Sequence, residues 1–164
     1  MVVSPTGHLS AGGKRFRCAF GSGGITRKKS EGDGATPAGT WPLRLGLYRA
    51  DRLAPPPTAG LPMYPLSPRA GWCDDPIHPA YNQPIRLPFT GRAEHLWRSD
   101  GVYDIIVVLG YNDAPAEPPR GSAIFLHVAR PSLSPTEGCV ALSKTDLVSV
   151  LRYAKRDSTM TIKA

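Results

Sequence analysis

Hydrophobic residues cluster most densely in two segments in the second half of the chain. Tyr103–Leu109 (YDIIVVL) is apolar and β-branched after Asp104, and Ser122–Val128 (SAIFLHV) has the same character. Short continuous apolar runs are typical of strands that are buried on both faces. We therefore predict two core strands here, separated by a proline-rich loop over residues 112–121.

Three further segments favour strands. Lys14–Phe20 alternates between polar and apolar positions, Thr40–Leu47 carries strand-like residues, and Ser158–Lys163 alternates near the end of the chain. Alternation with a period of two places one face of a strand on the core and the other in solvent. These segments extend the predicted sheet.

Helical patterns are scarce. Asp146 stands three residues after Ser143, as in an N-terminal capping box, and it is followed by apolar residues at helical spacing: Leu147, Val150, Leu151 and Ala154. The pattern predicts an amphipathic helix over about Lys144–Arg156. One or two further helical turns are expected over Ala93–Arg98.

Proline and glycine interrupt the pattern throughout. The chain has 18 Pro and 17 Gly among 164 residues, which together stay below the level of about 25–30% that is typical of disordered chains. We expect ordered loops over Arg49–Pro68 and Pro79–Pro88, and a tight turn over Gly71–Pro76. The expected fold is mainly β with one or two short helices, and residues 1–164 are expected to form one domain.

The charge balance is basic, with 20 Lys and Arg against 13 Asp and Glu. An excess of this size favours either solubility alone or an anionic partner such as a carboxylate-rich polymer. Apart from Arg27–Lys29 the basic residues are dispersed, and no repeat of aromatic and basic residues is present. We therefore expect no nucleic-acid partner.

Membrane and export signals are not visible in the sequence. No stretch approaches the ~20 apolar residues of a membrane-spanning helix, and the start Met1–Pro5 lacks a basic segment followed by an apolar one. The sequence leaves open an internal protein, a removed signal and another export route.

The chain has three cysteines, Cys18, Cys73 and Cys139. No C-x-x-C pair is present, and His78 and His95 have no matching ligand set, so we expect no metal and no cofactor. An odd number leaves at least one thiol unpaired or paired between chains. In an oxidising compartment Cys18 and Cys73 are candidates for a disulfide, with Cys139 free.

Candidate chemistry lies between residues 121 and 142. His127 is near the end of a predicted core strand, and Cys139 follows 12 residues later, directly after Gly138. A thiol with a pKa of about 8.5 needs a neighbour that stabilises its thiolate, and a histidine supplies this and later returns the proton. Gly138 allows close approach of the backbone, whose N–H groups are suited to an oxyanion. The alternative is a packed cysteine and a hydrogen-bonded core histidine.

These residues resemble the signature of the YkuD-type L,D-transpeptidases, which carry a strand histidine followed by Ser/Thr-His-Gly-Cys. Here the motif is Thr136-Glu137-Gly138-Cys139. Lys29–Gly39 resembles a glycine-rich loop of the family, and Tyr103–Asn112 resembles its core strand. The resemblance covers about residues 12–155 and implies a YkuD-like β-sandwich.

The resemblance implies roles residue by residue. Cys139 matches the nucleophile, Gly138 the preceding glycine, His127 the general base and acid, and Thr136 the start of the motif. A backbone carbonyl near Val128 would orient the histidine.

Three departures from the family pattern concern the pocket. Glu137 replaces the motif histidine, and the loop from His127 to Cys139 is short; the family's arginine after the cysteine is also absent, since Val140 follows. Glu137 is suited to orient His127, repel a substrate carboxylate or bind a substrate amine, and otherwise is a solvent-facing turn residue. These departures indicate an atypical branch.

Other side chains are candidates for binding substrate. Tyr111 and Asn112 end the strand beside that of His127, and Arg98 and Arg130 are suited to bidentate contacts with carboxylates. Loop residues form a further set whose members equally suit turns or packing: Trp72, Asp74, Asp75, Tyr81 and Asn82.

The function implied by the resemblance is cross-linking of peptidoglycan stem peptides through a thioacyl-enzyme. The donor carbonyl belongs to an L-residue at stem position 3 or 1. Alternatives are an L,D-carboxypeptidase or endopeptidase, a non-catalytic peptidoglycan-binding module and a cytosolic thiol hydrolase. The implied partners are donor and acceptor stem peptides, the implied site of action is the periplasm or cell wall, and a monomer is favoured.

Overall fold

The computed structural model describes residues 1–164, in which strands are the main element and a single helix is present. The elements in chain order are β1 (Val2–Ser4), β2 (His8–Ala11), β3 (Lys14–Arg17), β4 (Ile25–Thr26), β5 (Thr36–Pro37), β6 (Gly39–Tyr48), β7 (Met63–Pro65), β8 (Ala70–Cys73), β9 (Pro84–Arg86), β10 (Ala93–His95), β11 (Ile105–Leu109), β12 (Phe125–Val128), β13 (Val140–Leu142), α1 (Lys144–Leu151) and β14 (Thr159–Ile162).

The main sheet has nine strands in the order β13-β12-β11-β6-β14-β1-β2-β3, and β7 pairs with β6. Its centre is the antiparallel set β6, β11 and β12, to which β13 adds in parallel. Strand β14 lies between β6 and β1, so the first and last strands are parallel neighbours.

The two ends of this sheet are joined by the segment that follows β3. Ala19 forms an antiparallel bridge with Ala141, and Gly21 forms a parallel bridge with Thr136. The sheet therefore curves back on itself like a barrel, and the strand after the predicted nucleophile is held from both sides.

One face of the central strands carries the larger core. Leu126, Val128, Val140 and Leu142 pack there with the apolar face of α1, which consists of Leu147, Val150 and Leu151. Each such leucine or valine contributes about 1.5–3 kcal/mol by burial. Ser143 caps the helix by accepting a hydrogen bond from the N–H of Asp146.

The opposite face of the same strands is covered by the small sheet β10-β8-β9. Phe125 meets Trp72 of β8 edge to face, with ring centroids 5.2 Å apart. Cys139 belongs to this second apolar cluster. The covering sheet therefore builds the wall beside the predicted nucleophile.

The mainly β fold predicted from the sequence is confirmed, and both core strands form, as β11 and β12. The predicted helix is present but ends at Leu151. The Ala154 carbonyl accepts hydrogen bonds from the N–H groups of Ala59 and Leu61, which draws the chain out of the helix.

Other predictions of local structure were wrong. Residues 93–95 of the expected helical turn form strand β10, because they pair with β8. Strands β7, β8 and β9 lie in segments expected to be irregular or turns.

Cys18, Cys73 and Cys139 are all free thiols, so the Cys18–Cys73 disulfide is not formed. No helix is long and apolar enough to cross a membrane.

Candidate active site

His127 lies on β12, and Cys139 directly precedes β13, the parallel strand beside it. Leu126 pairs with Val140, so Cys139 lies opposite Phe125, and side chains two residues apart on a strand share a face. The N–H of Phe125 donates a hydrogen bond to the Cys139 sulfur at 3.3 Å. Strand register therefore brings the two predicted catalytic residues to one place.

The turn before Cys139 is held by Thr136. Its hydroxyl donates a hydrogen bond to the Cys139 carbonyl oxygen at 2.6 Å and accepts one from the N–H of Gly138 at 3.2 Å. Gly138 has a φ of 129°, and a Cβ placed there would lie 2.8 Å from the Ala35 carbonyl oxygen. Only glycine fits this turn without displacing its neighbour.

The thiol of Cys139 is buried and protonated at rest. Its sulfur donates a hydrogen bond to the Ala123 carbonyl oxygen at 3.3 Å, and the residue is 8% exposed. Burial, and next the nearby carboxylate of Glu94, raise the pKa of the Cys139 thiol to about 12. A base is therefore needed to make the nucleophile.

The imidazole of His127 is neutral at rest. Its Nδ1 lies 2.9 Å from the Val128 carbonyl oxygen, which only accepts, so Nδ1 carries the proton and Nε2 keeps a free lone pair. Burial lowers the pKa of His127 to about 4, with smaller effects from the Arg130 and Arg98 charges. No hydrogen bond joins His127 to Cys139, whose sulfur bonds only Phe125 and Ala123.

A cavity of about 340 Å³ opens at the two side chains. Besides His127 and Cys139 its wall contains four carboxylates, three guanidinium groups and several smaller or neutral residues: Glu31, Asp74, Glu94, Glu137, Arg92, Arg98, Arg130, Gly32, Val102, Tyr103, Ser122, Ala123 and Thr136. The charged lining suits a polar ligand with both amine and carboxylate groups.

Two of the guanidinium groups are already paired with acids. Arg92 lies 3.1 Å from Asp74, and Arg98 lies 2.6 Å from Asp100. Arg130 makes no ion pair. It is exposed at the rim, where it is free to meet a carboxylate.

The Glu31 carboxylate is fixed in the wall by neutral donors. It accepts hydrogen bonds from the Tyr81 hydroxyl at 2.5 Å and from the Ser122 hydroxyl at 2.7 Å. The loop that contains Glu31 is held by an ion pair between Lys29 and Asp33, whose ammonium nitrogen and carboxylate oxygen are 2.5 Å apart. The glycine-rich segment after β4 therefore reaches the cavity as an ordered element.

Among the predicted binding residues, Thr136, Glu137 and Arg130 line the cavity. Glu137 is exposed and makes no hydrogen bond, and Thr136 acts on the backbone of the turn. Arg98 and Asp74 also line it.

Tyr111 and Asn112 do not line the cavity. The Tyr111 hydroxyl donates to the carbonyl oxygen of Arg120, and the Asn112 side chain bonds backbone groups of Glu117 and Gly121. Their side chains order the loop between β11 and β12.

The other loop candidates act within the scaffold. Asn82 accepts a hydrogen bond from the Trp72 indole N–H at 2.9 Å and one from the Ala123 N–H at 3.1 Å. Asp75 accepts from backbone N–H groups of its own loop and of Arg92. Tyr81 donates a hydrogen bond to Glu31, which lines the cavity.

Sequence reasoning missed Glu31, Glu94, Tyr103, Ser122 and Ala123 as parts of the site. The sequence does not mark Glu94 as a site residue, because it lies in a segment predicted to be helical rather than in a strand of the sheet. Tyr103 was treated only as the start of a core strand. No group of three or more His, Cys, Asp or Glu is placed to hold a metal ion.

Fold and site together define a mainly β protein with a cysteine and a histidine at one charged cavity. A model of the YkuD family, the L,D-transpeptidase catalytic domain, matches residues 4–162. The chain therefore belongs to the YkuD L,D-transpeptidase family, whose substrate is cell-wall peptidoglycan. Searches of curated proteins and of solved structures gave no match.

Proposed function

We propose that the protein is a cysteine-dependent L,D-transpeptidase that cross-links peptidoglycan stem peptides through a thioacyl-enzyme, with residues 1–164 as one catalytic domain. The observation that carries the proposal is that His127 of β12 and Cys139, directly before the paired strand β13, line the same cavity. The donor carbonyl belongs to an L-residue at stem position 3 or 1.

Acylation begins from a thiol and a neutral imidazole. The Cys139 thiol leaves the Ala123 carbonyl and gives its proton to Nε2 of His127, and the sulfur attacks the donor carbonyl. Hydrogen bonds of this kind are often long before substrate binds. The resulting imidazolium protonates the leaving amine of the D-residue as the C–N bond breaks, which yields a thioester and a free amine.

The oxyanion formed in this step needs a donor from the turn. The N–H of Gly138 is occupied by the Thr136 hydroxyl at 3.2 Å. The N–H of Cys139 makes no such bond and is the donor that we assign to the oxyanion.

Transfer reverses the proton path. A side-chain amine on a second stem peptide attacks the thioester, His127 accepts its proton, and the thiol of Cys139 is re-formed as the amide bond closes. Water in place of the amine gives hydrolysis, so the same site accounts for a trimming activity. Arg130, with no acidic partner, and Glu137, with no hydrogen bond, are the cavity groups that we assign to substrate carboxylate and amine.

The proposed place of action is the periplasm or cell wall, where the polymer is found. A net charge of +7 favours binding to a carboxylate-rich polymer. We propose donor and acceptor stem peptides as partners and a monomer as the working form.

The test is mass spectrometry of muropeptides after incubation of purified sacculi with the wild type and with Cys139→Ala. New dimers with the wild type and none with the variant are expected. Fragmentation of the dimers identifies the donor position. Cys18→Ala is the matched control, because it removes a buried thiol away from the cavity.

Other outcomes separate the alternatives. Shortened stems without dimers would indicate a carboxypeptidase or endopeptidase. Binding to sacculi by both proteins without any new product would indicate a non-catalytic module and would overturn the proposal.

A further inference from the structure

The side chain of Glu94 is held in the cavity wall by one neutral donor. Glu94 lies on β10, opposite Trp72 of β8, and its carboxylate accepts a hydrogen bond from the Tyr103 hydroxyl. It forms no ion pair. No direct cationic contact therefore cancels its charge. Burial raises the pKa of the Glu94 carboxyl, and the Tyr103 hydrogen bond and the Arg98 charge oppose this effect.

Tyr103 connects this carboxylate to the reacting pair. Its ring stands edge-on to the imidazole of His127, with centroids 5.2 Å apart, and edge-on to Phe125 at 6.1 Å. The residue is 6% exposed. The phenol thus has little room to turn, and it fixes the carboxylate relative to Cys139 and His127.

The electrostatic effect of Glu94 falls on the thiol. After burial, its charge is the largest cause of the raised pKa of Cys139. A carboxylate near a sulfur opposes formation of a second negative charge there. Other charged or titratable groups line the cavity with Glu94 and Cys139: His127, Tyr103, Glu31, Asp74, Glu137, Arg92, Arg98 and Arg130. The Lys29 charge also acts on Cys139, in the opposite direction to Glu94.

We propose that the Glu94 carboxylate, held in place by the Tyr103 hydroxyl, keeps the Cys139 thiol protonated until substrate enters the cavity. This role is additional to the proposed transpeptidase reaction and rests on that site. A cationic group of the substrate that meets Glu94 cancels its charge and favours the thiolate at the moment when a carbonyl is in place. The free enzyme thereby avoids exposing a reactive thiolate.

The experiment measures the rate of Cys139 alkylation by iodoacetamide across pH 6–10 (a range set around the unperturbed thiol pKa of about 8.5) without wall substrate. A variant with Cys18→Ala and Cys73→Ala serves as the background, so that Cys139 is the one thiol labelled. Glu94→Gln keeps the acceptor for Tyr103 and removes the charge. We expect about tenfold faster alkylation at pH 8, because removing the charge increases the thiolate fraction while thiolate is the minor form.

Two further variants separate positioning from a general structural effect. Tyr103→Phe frees the carboxylate, so faster alkylation is expected, and the double variant with Glu94→Gln should react no faster than Glu94→Gln alone. Glu117→Gln is the control, since Glu117 pairs with Arg120 outside the cavity. If Glu94→Gln fails to fold, as judged by circular dichroism, Tyr103→Phe carries the test.

The inference is overturned if folded Glu94→Gln, or Tyr103→Phe where only that variant folds, alkylates within about twofold of the background at every pH. It is also overturned if the two substitutions are additive. Because no stem peptide is present, these results do not depend on the muropeptide assay, and failure of either proposal is recognised separately.

Discussion

The hydroxyl of Thr136 donates a hydrogen bond to the carbonyl oxygen of Cys139 at 2.6 Å. The same oxygen lies 3.4 Å from the hydroxyl of Thr36, on β5. The proposed nucleophile is thus tied through its own carbonyl to two threonines that are 100 positions apart in the chain. Its position depends on this backbone group as well as on the hydrogen bonds of its sulfur.

Replacing Thr136 by Val should loosen the nucleophile. The change leaves the Gly138 N–H without its acceptor and removes one donor to Cys139, which costs about 1–3 kcal/mol. Chemical denaturation should show this loss, and cross-linking should fall further than stability explains. Thr136→Ser keeps the hydroxyl and is expected to retain most activity; equal damage by Ser and Val would contradict the role of the hydroxyl.

Gly138 and Gly60 form a matched pair for testing the turn. Their φ values are 129° and 127°. A Cβ added at Gly138 would lie 2.8 Å from the Ala35 carbonyl oxygen, whereas a Cβ added at Gly60 would have no atom within 4 Å. Backbone strain destabilises both Ala variants by about 1–3 kcal/mol, and Gly138→Ala also creates a steric clash. We expect Gly60→Ala to remain active and Gly138→Ala to lose cross-linking; equal losses of stability and activity would show that strain alone matters.

Protonation of His127 should set the acid limits of activity and stability. Its pKa falls from 6.5 to about 4 on folding, so the folded state binds fewer protons than the unfolded chain between these values. The free energy of unfolding is therefore highest above pH 6.5 and decreases by about 3 kcal/mol as the pH falls to about 4.

Denaturation of the wild type and His127→Gln at pH 7.5 and at pH 4 checks this loss. The variant should lose less stability than the wild type. On the acid side, kcat/KM should decrease near pH 4 rather than near pH 6.5. A decrease near pH 6.5 would indicate that the imidazole is solvated and would contradict the effect of burial.

Asn82 should be intolerant of a charge. Its amide donates to the carbonyl oxygens of Tyr111 at 3.0 Å and Asn112 at 2.7 Å, and the residue is buried. Asn82→Asp places an unpaired carboxylate against two carbonyls, at a cost of about 3 kcal/mol or more. The cost should shrink as the pH falls, since a protonated acid donates again.

The control for this change is Gln83→Glu, which adds the same charge at an exposed neighbour. Thermal unfolding at pH 7.5 and pH 4.5 should separate the two variants. Similar unfolding temperatures at pH 7.5 would contradict the role given to the Asn82 amide.

The central strands and the helix could be predicted from the sequence because their signals are local. Ile105–Leu109 is apolar at every position and buried on both faces, and Ser143 caps a helix with helical spacing of Leu147 and Leu151. Strands such as β8 and β10 are short and gain their stability from each other, so no periodic pattern marks them.

The site divides in the same way. Cys139, Gly138 and His127 lie within 13 residues of the chain, so the sequence alone predicts that they belong to one site. Glu94 reaches the cavity through a strand pairing and Tyr103 through aromatic packing, and both depend on tertiary contacts. Tyr111 and Asn112 lie next to the right strand, but their hydrogen bonds turn them toward the loop between β11 and β12.

The placement of β14 between β6 and β1 governs the order in which the protein can fold. The first strand pairs with the last, Val2 beside Thr161, and pairings between positions so distant in the chain slow folding. During synthesis, β1–β3 must wait for the last strand to emerge before the sheet is complete. Because the segment after β3 also braces Thr136 and Ala141, the reactive thiol acquires its final surroundings only when the whole domain has been made.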